Sequence, residues 1–133
     1  MNDYKKALSY FQEAIKINSS DATAYSMVGY CYYRLGQYTE ATEAYKQTIR
    51  INPHYAETHY NLGIAYDKLR SYADAVEAFT QAYRIKPDYA EAHYNLGLVY
   101  IKLGDNGAAL NEYKNLKNLI LDLANKLFNL IYK

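Results

Sequence analysis

The chain has 133 residues, half of them hydrophobic, with 15 basic and 14 acidic side chains for a net charge of +1. That is enough apolar material for one domain with a continuous core, which excludes disorder, and the near-balanced charge leaves no long-range field to draw nucleic acid or an anionic membrane. A lone cysteine, Cys31, excludes an intrachain disulfide, and the apolar runs are too short to cross a bilayer or to serve as a leader behind the opening MNDYKK; a soluble, cytoplasmic protein is expected.

Residues 1–20 predict one helix, because Tyr4, Ala7, Leu8, Phe11, Ala14 and Ile15 fall at steps of three and four, with Asp3 placed to cap it. Residues 22–55 predict a helical hairpin. Tyr25, Val28, Gly29, Tyr32 and Leu35 pattern its leading helix, Gly36 supplies the left-handed turn, Ala41, Tyr45 and Ile49 pattern the return, and Pro53 ends it. Residues 56–89 repeat the hairpin at an offset of 34, with Gly63, Tyr66, Ala75, Ile85, Pro87 and Tyr89 standing where Gly29, Tyr32, Ala41, Ile51, Pro53 and Tyr55 stood. Arg70 takes the turn position of Gly36 and is a local misfit.

Residues 90–119 give a third copy, in which Ala90, His93, Tyr94, Asn95, Leu96, Gly97, Tyr100 and Ala109 follow Ala56, His59, Tyr60, Asn61, Leu62, Gly63, Tyr66 and Ala75. Gly104 and the cap candidate Asp105 divide its helices. Residues 120–133, with Leu123, Leu127, Leu130 and Ile131 on one stripe, predict an amphipathic helix that covers the open end of the stack. The opening helix matches the return half of a unit, Ala7 falling on Ala41 and Ala75. The leading helix of that unit is therefore expected to lie in a longer chain or to come from a partner. A period of this length signals stacked helical units.

With Gly29, Tyr32, Ala41 and Pro53 in one unit, Leu62, Gly63, Tyr66, Ala75, Phe79, Ala82 and Pro87 in the next and Leu96, Gly97, Tyr100 and Ala109 in the third, the sequence resembles the tetratricopeptide repeat family. The family's usual tryptophan is replaced by Tyr25, His59 and His93, a small packing alanine by Thr48 and Leu116, and the closing Asp-Pro of the third unit by Ile120 and Leu121. The resemblance implies an all-α, right-handed superhelical solenoid of antiparallel helix pairs. Its leading helices would line a concave groove that binds a peptide or protein segment, without catalysis and without a cofactor.

Carried over residue by residue, the groove has a basic row of Arg34, Lys68 and Lys102, an aromatic set of Tyr30, Tyr33, Tyr60 and Tyr94, an amide pair of Asn61 and Asn95, and apolar Ile64 and Leu98. An asparagine side chain donates and accepts at once, so the amide pair is suited to gripping a peptide backbone without reading its sequence. Clamping of chaperone C-terminal tails, known in the family, is not implied: of its five clamp places, filled here by Ser26, Tyr30, Asn61, Glu91 and Asn95, only Asn61 agrees, and Glu91 repels a carboxylate.

Self-association is the competing expectation. Tyr4, Leu8 and Phe11 present apolar surface at one end. At the other, nothing at Ile120 and Leu121 breaks a helix, so the last two helices are expected to run together as a rod that carries Leu123, Leu127 and Leu130 toward a second molecule. His59 and His93, one repeat apart where aromatic residues pack, read as structural rather than as metal ligands, and Cys31 reads as a buried filler. No phosphate loop, nucleophile elbow or carboxylate pair points to an enzyme. Three cations with glutamates beside them offer little to single-stranded nucleic acid.

Overall fold

A computed structural model of the chain describes residues 2–133. Among them are eight helices: α1 (Asn2–Ile17), α2 (Ala22–Arg34), α3 (Tyr38–Ile51), α4 (Ala56–Lys68), α5 (Tyr72–Ile85), α6 (Ala90–Lys102), α7 (Asn106–Lys117) and α8 (Leu121–Ile131). Each packs on the next, so hairpins α2–α3, α4–α5 and α6–α7 pile up in sequence order as a solenoid. The helix starts follow local chemistry. Asp21 and Asp105 each accept a hydrogen bond from the backbone N–H three residues on, Ala24 and Ala108, at 3.0 Å, which satisfies a donor that the first turn leaves open. Asp3 is not such a cap: α1 already includes it, in the first turn.

The core repeats with the sequence. Ala41, Ala75 and Ala109 are fully buried in the return helices. Tyr45 and Phe79 lie over Gly29 and Gly63, where a β-carbon would come within 2.6 and 2.7 Å of the ring. Each large ring thus sits where only glycine leaves room, and this close approach sets the spacing within each hairpin. The hairpin turns need a left-handed residue, which Gly36 and Gly104 provide at φ 78°. Arg70 adopts φ 58° at the same place, a strained conformation for a residue with a β-carbon, as its sequence position implied.

The rod does not form. α7 stops at Lys117, Ile120 is extended (φ −141°, ψ 104°), and α8 starts at Leu121 and folds back on α6 and α7. Packing decides this, since the local sequence contains no breaker. Leu127 becomes fully buried, with its side chain within 2.5 Å of where a β-carbon of Gly97 would be. Leu123, Ala124 and Ile131 join the same cluster with Leu116. Burying one leucine contributes about 1.5–3 kcal/mol, so a folded-back α8 outweighs the loss of a few continuous helical hydrogen bonds.

The return also displaces the third unit from the pattern of the first two. Tyr45 and Phe79 stand 16 residues after their glycines (29 + 16 = 45, 63 + 16 = 79), and the equivalent after Gly97 is Tyr113. Leu127 has taken that place, and Tyr113 is half-buried against Phe128, ring centroids 5.2 Å apart.

Candidate functional site

The leading helices α2, α4 and α6 carry the expected groove residues, and the structure divides these into two sections. Between α4 and α6 the polar groups are engaged within the chain. The Asn95 amide donates to the Tyr60 hydroxyl at 3.0 Å and to the Glu91 carbonyl at 2.9 Å. Lys102 spans to both carboxylate oxygens of Asp67, at 2.9 and 3.1 Å. Tyr60 stacks on Tyr89, 5.0 Å between centroids, and burial, with the nearby Glu91 charge, pushes its hydroxyl pKa upward. Tyr94 and Leu98, expected in the groove, instead support the cluster under α8. Asn95, Lys102, Tyr94 and Leu98 therefore also serve the stack, through hydrogen bonds, an ion pair and packing within the chain.

Both polar bridges join residues 35 apart: Tyr60 to Asn95 and Asp67 to Lys102. Adjacent leading helices thus meet one residue beyond the repeat period. Applied to α2 and α4, the same step pairs Asn61 with Ser26 (26 + 35 = 61) and Lys68 with Tyr33 (33 + 35 = 68). Serine is too short to replace the Tyr60 hydroxyl, and tyrosine cannot replace the Asp67 carboxylate. Asn61 and Lys68 accordingly have no side-chain hydrogen bond or ion pair among the described residues, and Asn61 lines a recess of about 60 Å³ with Tyr30, Tyr33, Tyr45 and Ile64. The α2–α4 section is where the groove retains uncommitted polar groups beside apolar ones.

Arg34 borders this section and is held at its edge. It donates to the Tyr30 hydroxyl at 2.8 Å and lies over the Tyr4 ring, 4.6 Å from its centroid. The hydrogen bond with Tyr30 raises the guanidinium pKa further. Tyr4 meets Tyr30 edge-on at 6.1 Å, and Leu8 and Phe11 of α1 are half-buried, so this end offers only part of the apolar surface expected for self-association. At the other end Leu123 and Leu127 are taken up by the core, leaving Ile120, Leu121 and Leu130 outward at 42, 57 and 39 % exposure, beside Phe128 and Tyr132.

The histidines are structural in a way the sequence did not disclose. His59 and His93 each set Nε2 3.0 Å from a carbonyl, that of Pro53 and Pro87 respectively, tying a leading helix to the loop before it. His93 also places Nδ1 2.7 Å from a carboxylate oxygen of Glu112, with both side chains buried and Tyr83 stacked on the ring at 4.6 Å. Burial lowers the pKa of His93, but the hydrogen bonds to Glu112 and Pro87 and the Glu112 charge outweigh it, leaving the ring above its usual value. The clue in the sequence is Glu112 itself: the two preceding units have alanine, Ala44 and Ala78, at that place. Cys31 is buried, and burial raises its thiol pKa, as befits an inert filler.

Comparison with known proteins accords with this geometry. A profile described as "TPR repeat" matches residues 29–69 and 71–104, and one described as "Tetratricopeptide repeat" matches residues 1–21 and 90–120. Two solved structures titled as crystal structures of MamA superimpose with TM-scores of 0.87 and 0.85. Both are 23% identical and cover 98% of this chain, and the matches span 88% and 81% of theirs. A third, MamA 41-end from Desulfovibrio magneticus RS-1, has a TM-score of 0.83 at 24% identity over 89% of this chain and 67% of its own. Likeness at this identity shows the fold, a right-handed superhelical solenoid of helix pairs. No curated protein sequence matches the chain.

Proposed function

We propose, from the premise that this chain belongs to the tetratricopeptide repeat family, that it is a non-catalytic scaffold holding an extended or helical protein segment across α2 and α4. Tetratricopeptide repeats make it a protein-interaction module; the location of the segment is our reading. One observation carries it: Asn61, in the wall of the tyrosine-lined recess, and Lys68, one turn beyond Ile64 on α4, are unpaired among the described residues, whereas their counterparts Asn95 and Lys102 are spent on Tyr60 and Asp67. In this reading Asn61 grips a backbone amide, Ile64, Tyr30 and Tyr33 take an apolar side chain, and Lys68 favours an acidic neighbour.

Peptides captured by the immobilised protein, identified and resynthesised, are expected to bind about tenfold more weakly to Asn61→Ala combined with Lys68→Ala. That is the loss of one or two hydrogen bonds of about 1 kcal/mol each. Binding that survives both changes at full strength removes the groove from the account. A second reading is favoured by the outward Ile120, Leu121 and Leu130: these residues join two copies through α8. Light scattering over a range of concentrations is then expected to give a dimer that Leu121→Glu dissociates, and a monomer at high concentration ends that reading.

A further inference from the structure

The opposite face of α4 has a second opening. At about 100° per residue, His59, Leu62 and Tyr66 lie roughly half a turn from Tyr60, Asn61 and Ile64. With Ile49 of α3 and Ala78 of α5 they bound a slot of about 240 Å³. This is smaller than the roughly 300–1,000 Å³ of small-molecule pockets, and suits one inserted side chain.

The chain contains a filled copy of this slot one repeat later. His93, Glu112 and Tyr83 stand 34 residues after His59, Ala78 and Ile49. Both histidines fix Nε2 on the proline carbonyl at the same 3.0 Å. In the filled copy Nδ1 meets the Glu112 carboxylate and Tyr83 covers the ring. In the open one Ala78 stops short and Ile49 brings no ring. His59 Nδ1 therefore faces the gap, with no partner among the described residues.

A neutral ring that donates from Nε2 to Pro53 presents Nδ1 as an acceptor. The charges at the rim then select the donor. Asp74 and Glu77, three residues apart on α5, are exposed there and have no ion pair among the described residues. Lys46 faces them but is tied to Glu43 at 3.2 Å and leans over Tyr66 at 5.8 Å, so the rim already hosts one ammonium group. With Lys46 offset by Glu43, the two unpaired rim charges are both negative, so they repel an incoming carboxylate and attract an incoming cation.

We propose that this slot binds a lysine or arginine side chain of a partner protein. The aliphatic stem lies along Ile49, Leu62 and Tyr66, and the N–H groups donate to His59 Nδ1 and to the Asp74 and Glu77 carboxylates. The site is separate from the groove and does not rest on it. The slot one repeat earlier keeps the acidic rim, as Glu40 and Glu43, but has Tyr25 in place of the histidine, and so serves as an internal control.

The test is an NMR titration of the whole chain at pH 7.5 with N-acetyl-arginine amide and N-acetyl-lysine amide, and with N-acetyl-glutamate amide as the anionic counterpart. Saturable shifts are expected at the His59 ring and the Ile49 and Ala78 methyls with the two cations only. Asp74→Asn with Glu77→Gln is expected to weaken them by about tenfold, and Ala78→Glu, which copies Glu112, to abolish them. Asn61→Ala is expected to leave them unchanged. Preference for the anion, indifference to the rim variant, or full binding by a folded Ala78→Glu protein each overturns the proposal. If Ala78→Glu does not fold, the rim variant decides.

Discussion

Replacing Phe79 by alanine is expected to lower unfolding free energy by about 3–5 kcal/mol, the range for removing a buried aromatic ring. The ring is fully buried, lies over Gly63, meets Tyr60 at a centroid distance of 5.7 Å, and shares a cluster with Ala75, Leu96 and Val99. It therefore links α4 and α5 to α6. In a stacked array each unit is held only by its neighbours, and domains of this kind have only about 5–15 kcal/mol in all. The central ring thus supports a large share of the whole. Gly63→Ala is expected to destabilise as well, because its new carbon would come within 2.7 Å of the same ring. Combining it with Phe79→Leu is expected to cost less than the sum of the two changes, since the smaller side chain yields space. Urea denaturation followed by circular dichroism measures these variants and Phe79→Leu alone; a Phe79→Ala loss below about 1 kcal/mol would show that the ring does not couple the units.

The second large effect is at Glu112. Removing one partner of a buried ion pair costs about 3–5 kcal/mol, so Glu112→Ala is expected to fall in that range below neutral pH. The wild type should also show a characteristic pH dependence. Both His93 nitrogens face acceptors, the Glu112 carboxylate and the Pro87 carbonyl, so the native pair retains a proton that a free histidine releases. With the folded pKa raised above the unfolded value near 6.5, the folded state binds more protons than the unfolded chain between the two. Stability is then fully present below about pH 6.5 and declines as pH rises through the folded pKa. The groups around the ring are Tyr83, stacked on it, Tyr100, whose pKa burial raises, and Asn115, which donates to Glu112 at 3.4 Å. Glu112→Gln is expected to flatten the slope by allowing a neutral pair, as read by urea midpoints from pH 5.5 to 8.5. An unchanged slope would assign the titration to another group.

The architecture was legible because its determinants are local and recur. Gly63, Tyr66, Ala75 and Pro87 each recur at a fixed offset of 34, so the period and the pairing of helices followed from spacing. The break before α8 was not legible, because no residue near Ile120 terminates a helix; the chain turns to place Leu127 over Gly97, a tertiary gain that overrides local propensity. The groove was half legible. The repeat identified which helix faces to examine, but whether an asparagine or lysine on them is free depends on the residue 35 positions away, and that offset emerges only from how neighbouring leading helices meet. His93 with Glu112 shows the same limit: a carboxylate at an alanine position is visible in sequence, its histidine partner only in space.

Leu127 in the place due to Tyr113 has an architectural consequence. A further hairpin can dock on α6 and α7 only by displacing α8, since Leu127 holds the place over Gly97 that Tyr45 and Phe79 hold in the earlier units. Growth in the middle meets no such obstacle: Ala56–Tyr89 is preceded by Tyr55 and closes on Tyr89, so tandem duplicates of it splice with like ends, and each lengthens the stack by one hairpin without disturbing either terminus.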